Sequence, residues 1–360
     1  MNDPRPTILV TGIAGTLGTR LLPLPTGFRV VGVDLSPVKA HPEVVVNSMD
    51  LAHEISCVRL VQLLRESGAE AVVHLAAAVD PLGNGVLNRE RMWQVNVAGT
   101  ARVMEAITEV NRHGGKIVKF IYASSAAVYG PETPPLVNEE APLEAHTLSY
   151  AVQKAEADGV VRMRAGSLGR CSTYLLRPHI FAGASVENYM VNAIRGQAPG
   201  NGSLARLMRS RQLRLPLLLP MGESSPQKLF QFVQVDDVAR LIAWLLQRPA
   251  ADEHETLTLN VAGSGPPISM ARCAEIGKAK RVALPSRWLC AKVQTMLWKL
   301  GMSSLPPDAF PYVAGSYTVS TERLRNLLGD DFEKVIRYSS EAALRDSFAE
   351  APVQQATLAR

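Results

Sequence analysis

Cysteine patterns that hold metals or staple small folds are missing from this 360-residue sequence. Cys57, Cys171, Cys273 and Cys290 lie far apart with no C-x-x-C pair. That excludes a zinc ribbon and a small disulfide scaffold. Reduced, buried thiols in a cytoplasmic protein are expected, with no metal site. Aromatics are scarce at 6%, and 38 basic against 33 acidic residues leave a net charge of only +5. A nucleic-acid binder concentrates basic charge among stacking aromatics, so no nucleic-acid partner is expected. Anionic small molecules remain compatible with the balance. No run of about 18 apolar residues exists, so no integral membrane segment is expected. The first seven residues lack the basic and apolar regions of a signal peptide. What remains is ordinary globular composition, 47% hydrophobic and 20% charged. The length suits two or three domains and can bury a core unaided.

The N-terminal pattern points to a nucleotide. Thr7 to Thr11 is a short apolar run that reads as a buried parallel strand. It enters Gly12-Ile13-Ala14-Gly15-Thr16-Leu17-Gly18 directly. A helix follows and is cut short by Pro23 and Pro25. A second apolar strand, Phe28 to Val33, ends in Asp34. Glycines at 12, 15 and 18 let backbone N–H groups approach a diphosphate at a helix N-terminus. An acid ending the second strand accepts hydrogen bonds from ribose hydroxyls and repels a 2′-phosphate. Asp34 therefore favours NAD over NADP.

The pattern repeats along the chain. Val44 to Val46 reads as a third strand leading to Asp50-Leu51. Cys57 to Ser67 reads as a helix, and Ala71 to Leu75 as a fourth strand. A helix from about Arg89 to Asn111 carries Asn96, and Ile117 to Tyr122 reads as a fifth strand. Alternating strands and helices of this kind imply a doubly wound parallel α/β sheet. His74 has no second ligand at a suitable spacing and reads as a packing or hydrogen-bonding residue.

Two hydroxyls, Ser124 and Ser125, follow the fifth strand, where this architecture places its ligands. Tyr150 and Lys154 come 25 and 29 residues after Ser125, on one face of a helix. A free phenol has a pKa of about 10 and is a poor base at neutral pH. A nearby ammonium and a positive nicotinamide ring would lower it. Tyr150 then takes the hydroxyl proton of a secondary alcohol as hydride leaves, or donates it to a carbonyl in reverse. Ser125 holds the same oxygen. Lys154 can also hold the nicotinamide ribose. Either feature alone is more often an exposed helix pair or an ordinary turn. The preceding nucleotide pattern gives them their weight.

Here the chain resembles the extended short-chain dehydrogenase/reductases, in their NAD-dependent epimerase/dehydratase branch. The glycine segment matches T-G-x-x-G-x-x-G. Asp50-Leu51 matches the adenine-contacting pair, and His74-Leu75-Ala76-Ala77 the H-L-A-A loop. Asn96 to Thr100 resembles N-V-x-G-T. Ser124 to Gly130 and Tyr150 to Lys154 match the active-site motifs. Leu176-Arg177-Pro178, Val235 to Ala239 and Leu259-Asn260-Val261 match later landmarks. The resemblance implies Ser125, Tyr150 and Lys154 as the catalytic group. It implies Gly12, Gly15, Thr16, Leu17, Gly18, Asp34, Asp50, Leu51, Leu75, Ala76, Ala77, Asn96, Lys154 and Pro178 as NAD contacts. It implies a Rossmann-type unit over 1–178, rejoined by 230–262. A smaller, mostly helical C-terminal substrate lobe would use 179–229 and 263–348, ahead of a flexible tail at 349–360. It also implies a homodimer.

Departures narrow the chemistry. Ala126 and Ala127 stand where sugar-nucleotide dehydratases carry an Asp-Glu pair, so dehydration of that type is disfavoured. Ile180 stands where many nucleotide-sugar members carry an Asn. Gln234 stands where a His often precedes V-D-D. The expected function is hydride transfer at a secondary alcohol or ketone, as a nucleotide-sugar epimerase. A 3β-hydroxysteroid or sterol-type dehydrogenase is the alternative, and a non-catalytic NAD-binding protein a third reading. Arg206, Arg209, Arg211 and Arg214 either meet a substrate phosphate or form a solvated face. Leu213 to Met221 reads as a lid, a core strand or a partner surface. Trp288 to Leu300 is an amphipathic helix that packs on a core or contacts a membrane surface.

Overall fold

The computed structural model describes residues 5–24, 27–38, 41, 44–79, 88–221, 227–250 and 254–349. Nearly all of the expected tail lies outside these residues. Strand β1 (Thr7–Thr11) leads through the glycine turn into α1 (Thr16–Leu21), which stops before Pro23. Then come β2 (Arg29–Asp34), β3 (Val46–Ser48), α2 (Ile55–Ser67) and β4 (Ala69–His74). Helix α3 (Arg89–Trp93) runs through one π turn, Gln94–Ala98, into α4 (Gly99–Arg112). β5 (Lys119–Ala123), α5 (Ser149–Arg164) and β6 (Ser172–Pro178) complete the first half.

The second half is made of shorter pieces. In order they are β7 (Ile180–Ala182), α6 (Tyr189–Arg195), α7 (Ser203–Ser210), β8 (Leu217–Pro220), β9 (Leu229–Phe230) and β10 (Phe232–Gln234). Helix α8 (Val235–Gln247) and β11 (Thr256–Val261) follow. Then come β12 (Ile268–Ser269), α9 (Met270–Ile276), β13 (Arg281–Leu284), α10 (Arg287–Lys299) and α11 (Phe310–Ala314). The last helices are α12 (Glu322–Leu328), α13 (Phe332–Val335) and α14 (Ser340–Asp346).

Seven strands form one parallel sheet in the order β11-β6-β5-β4-β1-β2-β3. The period of two in each strand divides the core between the two faces. Ile8, Val10, Ala71, Val73, Ile121 and Leu176 pack on the α1 and α8 side. Leu9, Val72, Phe120, Tyr122 and Leu175 pack on the α2, α4 and α5 side. Strand order reverses between β1 and β4, so the loops at their carboxyl ends run to opposite sides and leave a crevice. The architecture is thus a Rossmann-type doubly wound α/β sheet with a smaller, mainly helical region beside it.

Two details differ from expectation. The third strand begins at Val46 because its register is set by pairing with Gly32 to Asp34. Leu324, Leu328, Phe332, Val335 and Ile336 fall in the range assigned to the substrate lobe, yet pack with the sheet and α8. The leucines of α12 recur at helical spacing and cover the α8 side of β11. The apolar 213–221 segment is resolved as β8, paired parallel with β13, with Leu217 and Leu219 buried.

Candidate active site at the crevice of the sheet

The three glycines have three different reasons. Gly12 has φ +73°, and a Cβ there would lie 2.5 Å from the Ala76 nitrogen. A Cβ at Gly18 would lie 2.5 Å from the carbonyl oxygens of Gly12 and Ile13, so the loop could not close over it. Gly15 opens outward, its only close neighbour being the Gly12 carbonyl at 3.1 Å. Bare backbone therefore faces the crevice, as a diphosphate requires. Thr16 is exposed beside it, whereas the Leu17 side chain is buried in the core and leaves only its backbone on the loop.

Asp34 ends β2 against this loop. Its carboxylate accepts the Ala14 N–H at 3.0 Å and the Ser36 N–H at 3.1 Å. Asp50 accepts the Ala52 N–H and pairs with Arg91 at 2.7 Å. Partial burial raises the Asp50 pKa, but Arg91 and the Ala52 N–H outweigh it and hold it below the usual value. Leu51 is buried, and its carbonyl accepts from Arg102. The loop after β4 is tied back to β1: the Leu75 N–H donates to the Thr11 carbonyl. Asn96 lies behind this loop. Its amide accepts the Ala78 N–H at 2.7 Å and donates to the Ala78 carbonyl at 2.8 Å and to Gln153 at 2.9 Å. At 1% exposure, with both amide N–H groups engaged, Asn96 holds the shape of the loop from behind. His74 bridges the Thr11 and Thr100 hydroxyls at 2.6 and 3.0 Å and is fully buried. Burial, with the nearby Lys154 charge, depresses its pKa to about 3, so it is a neutral structural group.

Ser125, Tyr150 and Lys154 come together at the carboxyl end of β5. Ser125 follows the strand in extended backbone, accepts the Ala127 N–H at 3.2 Å and hydrogen-bonds to Tyr150. Tyr150 and Lys154 are one turn apart on α5. Lys154 donates to the Ala123 carbonyl at 2.7 Å, and its ammonium is 4.9 Å from the Tyr122 ring centroid and 6.0 Å from that of Tyr150. The electrostatics differ from the sequence reading. Burial raises Tyr150 to about 12, with the Ser125 hydrogen bond pulling the other way. Burial lowers Lys154 to about 7, against the pull of Asp158. The expected ammonium–phenolate attraction does not contribute: burial dominates both groups, and the Lys154 ammonium turns to the Ala123 carbonyl instead.

A buried network under this group was not read from the sequence. Asp158, one turn beyond Lys154, receives two hydrogen bonds from Arg177, at 2.9 and 2.8 Å. It also accepts the Ser124 hydroxyl at 3.0 Å. Arg177 continues to the Tyr129 hydroxyl at 2.6 Å, which donates to Asn260 at 2.7 Å. Asp158, Arg177 and Asn260 are all 0% exposed. The spacing of Asp158 from Lys154 was the available signal. Pro178 ends β6 opposite Val261 and is buried. Beyond it His179 stacks on Tyr317 at 4.8 Å, with Phe230 and Tyr312 edge-on to the same tyrosine. Tyr312 donates to the Ala127 carbonyl at 3.1 Å, which brings this aromatic wall to the Ser125 turn.

The motifs and this geometry define a class of protein, and comparison agrees. The chain belongs to the NAD dependent epimerase/dehydratase family, whose model matches residues 8–262. UDP-glucose 4-epimerase 4 of Oryza sativa subsp. japonica is 33% identical over 197 residues, covering 51% of this chain and 52% of the relative. D-erythronate dehydrogenase of Cupriavidus necator is 28% identical over 159 residues, covering 41% of this chain and 47% of the relative. The chain thus spans about half the length of the curated relatives it matches. A structure of UDP-glucose 4-epimerase from Thermus thermophilus in complex with NAD superposes with a TM-score of 0.65 at 18% identity. It covers 95% of this chain and 97% of that one, a likeness of fold.

Proposed function

We propose that this protein is an NAD-dependent epimerase that inverts a secondary alcohol of a nucleotide-linked sugar by removing and returning hydride. The observation that carries the reading is the convergence of Ser125, Tyr150 and Lys154 beside the glycine loop. Residues Gly12, Gly15 and Gly18, with the backbone of Thr16 and Leu17, would hold the diphosphate of NAD. Asp34 would take the adenosine ribose, and Asp50 with Leu51 the adenine. Leu75, Ala76, Ala77, Lys154 and Pro178 would flank the nicotinamide half. Bound there, NAD supplies the hydride acceptor and a positive charge beside the phenol.

The residues of the chain move the proton. Tyr150, at about 12, is protonated at neutral pH and ready to donate to a carbonyl oxygen in the reductive half. In the oxidative half the phenol would first give up its proton, which the positive charge of bound NAD and the Lys154 ammonium would favour; the phenolate then receives the alcohol proton, and Ser125 steadies both the phenolate and the substrate oxygen. Lys154 keeps one N–H on Ala123 and has two left for ribose hydroxyls and the phenolate side. Ala126 and Ala127 carry no titratable group, so water loss has no acid or base there.

A second reading rests on half-buried, apolar Ile180, where many nucleotide-sugar members carry an Asn. An apolar ring system would suit it, and the protein would then act as a sterol-type dehydrogenase. The homodimer and cytoplasmic location belong to the proposal too, and sizing chromatography of the purified chain reads the former. Quantifying nicotinamide nucleotide released on denaturing the purified protein separates the enzymatic readings. Retained NAD with interconversion of UDP-sugars and no net NADH supports the epimerase. Net NADH from a hydroxysteroid, with no UDP-sugar turnover, overturns it.

A further inference from the structure

The modest net charge conceals a strong local imbalance. Residues 189–221 and 270–305 carry twelve Lys and Arg against a single acid, Glu275. That is +11 within a chain whose total is +5, leaving −6 for the remainder. The two segments form one body. Strands β8 and β13 pair, α10 packs on β8, and the Gly200 N–H donates to the Gly301 carbonyl at 2.8 Å. That last bond ties the approach to α7 to the end of α10.

The same body exposes apolar side chains. The outward stripe of α10 reads Trp288, Lys292, Met296, Lys299 and Leu300, all solvent-exposed and without an acid. Trp288 is 67% exposed, Met296 53% and Leu300 50%. Lys292 lies over the Trp288 ring, 5.6 Å from its centroid. On α7, Leu204 and Leu207 are each 44% exposed. Beside them Arg206, Arg211 and Arg214 are exposed and make no side-chain hydrogen bond or ion pair among the described residues. Arg209 differs: it donates to the Ala198 and Gly200 carbonyls and is structural.

We propose that this face docks the protein on an anionic phospholipid surface. The α10 stripe would lie in the interface, and Arg206, Arg211 and Arg214 would meet headgroup phosphates. Charge and apolar exposure together select this occupant. A second copy paired two-fold through this face would set exposed Arg206, Arg211, Arg214, Lys292 and Lys299 against their own copies with no acid between them. Nucleic acid would answer the charge and offer bases to Trp288, but it gives no return for exposed Leu204, Leu207, Met296 and Leu300. A bilayer rewards both, with apolar side chains at the acyl boundary and basic ones at the headgroups. No described helix is long and apolar enough to cross the membrane, so the contact is peripheral.

Co-sedimentation of the full chain with vesicles tests this. Binding is expected to vesicles of phosphatidylcholine with phosphatidylglycerol, to weaken with salt, and to be far lower on phosphatidylcholine alone. The triple variant Arg206→Glu, Arg211→Glu, Arg214→Glu should bind on the order of a hundredfold more weakly. The pair Trp288→Asp, Met296→Asp should lose roughly tenfold. The pair Arg112→Glu, Arg170→Glu, exposed on the Rossmann-type unit, should bind like wild type. Near-wild-type melting temperatures would certify that the variants fold. Failure of wild type to pellet with anionic vesicles overturns the proposal. So does an equal loss in the control pair, or tighter binding to duplex DNA that the Trp288/Met296 pair leaves untouched.

Discussion

Replacing Arg177 with Met tests whether the network under α5 is a stabilising unit. The guanidinium is 0% exposed and gives two hydrogen bonds to Asp158, one to Tyr129 and one to the Glu139 carbonyl. Methionine fills much of the space but leaves the Asp158 carboxylate without its main partner. Removing one member of a buried pair costs about 3–5 kcal/mol. Asp158 would retain the Ser124 hydroxyl at 3.0 Å and the half-exposed Arg162 at 3.2 Å. The expected loss is therefore near the low end, about 3 kcal/mol. Removing the partner as well, in Arg177→Met with Asp158→Leu, should recover most of it, short of about 1 kcal/mol for the orphaned Ser124 hydroxyl. Urea unfolding of the wild type, both single variants and the double variant closes the cycle. A single-variant loss below about 1 kcal/mol, or a double variant as unstable as the summed singles, would refute the reasoning.

Three further outcomes follow from the site. Tyr150→Phe and Ser125→Ala should each lower turnover by roughly 10²–10⁴-fold, with dinucleotide affinity by calorimetry changed little. Gly12→Ala should abolish dinucleotide binding, because the new Cβ would lie 2.5 Å from the Ala76 nitrogen at a φ of +73°. Lys154 gives a pH signature. Its pKa falls to about 7 in the fold, against an ordinary 10.5, so between those values the unfolded chain binds the extra proton and stability rises with pH. Below about 7 that contribution is lost. The stability of wild type relative to Lys154→Met, from denaturant unfolding, should therefore rise by about 3 kcal/mol between roughly pH 6.5 and 9.5. A pH-independent difference would contradict the burial of that ammonium.

Legibility in the sequence followed how local each demand was. The glycine loop was readable because Gly12 and Gly18 answer backbone constraints within a few residues or against the next strand. Asp34 was readable as the end of an apolar strand, and the Ser125, Tyr150 and Lys154 set through spacing. Asn96 was readable as part of the cofactor motif, but its bonds to Ala78 were not, since they depend on how the loop after β4 folds back. Asp158 and Arg177 are 19 residues apart, and only the β6–α5 packing makes them partners. The basic body around α7 and α10 was hidden by acidic residues elsewhere that bring the whole chain back to +5. The raised Tyr150 and lowered Lys154 pKa values depend on burial, which residue types alone do not specify.

Hydride transfer at the Ser125–Tyr150–Lys154 group is tested most directly by following an isotope. A UDP-sugar deuterated at the carbon that inverts would be incubated with NAD-loaded protein, and the product analysed by mass spectrometry and NMR. The account predicts inversion with deuterium retained on that carbon, no uptake of solvent hydrogen there, and loss of the reaction in Tyr150→Phe. Washout of deuterium to solvent, or undiminished inversion by Tyr150→Phe, would contradict it.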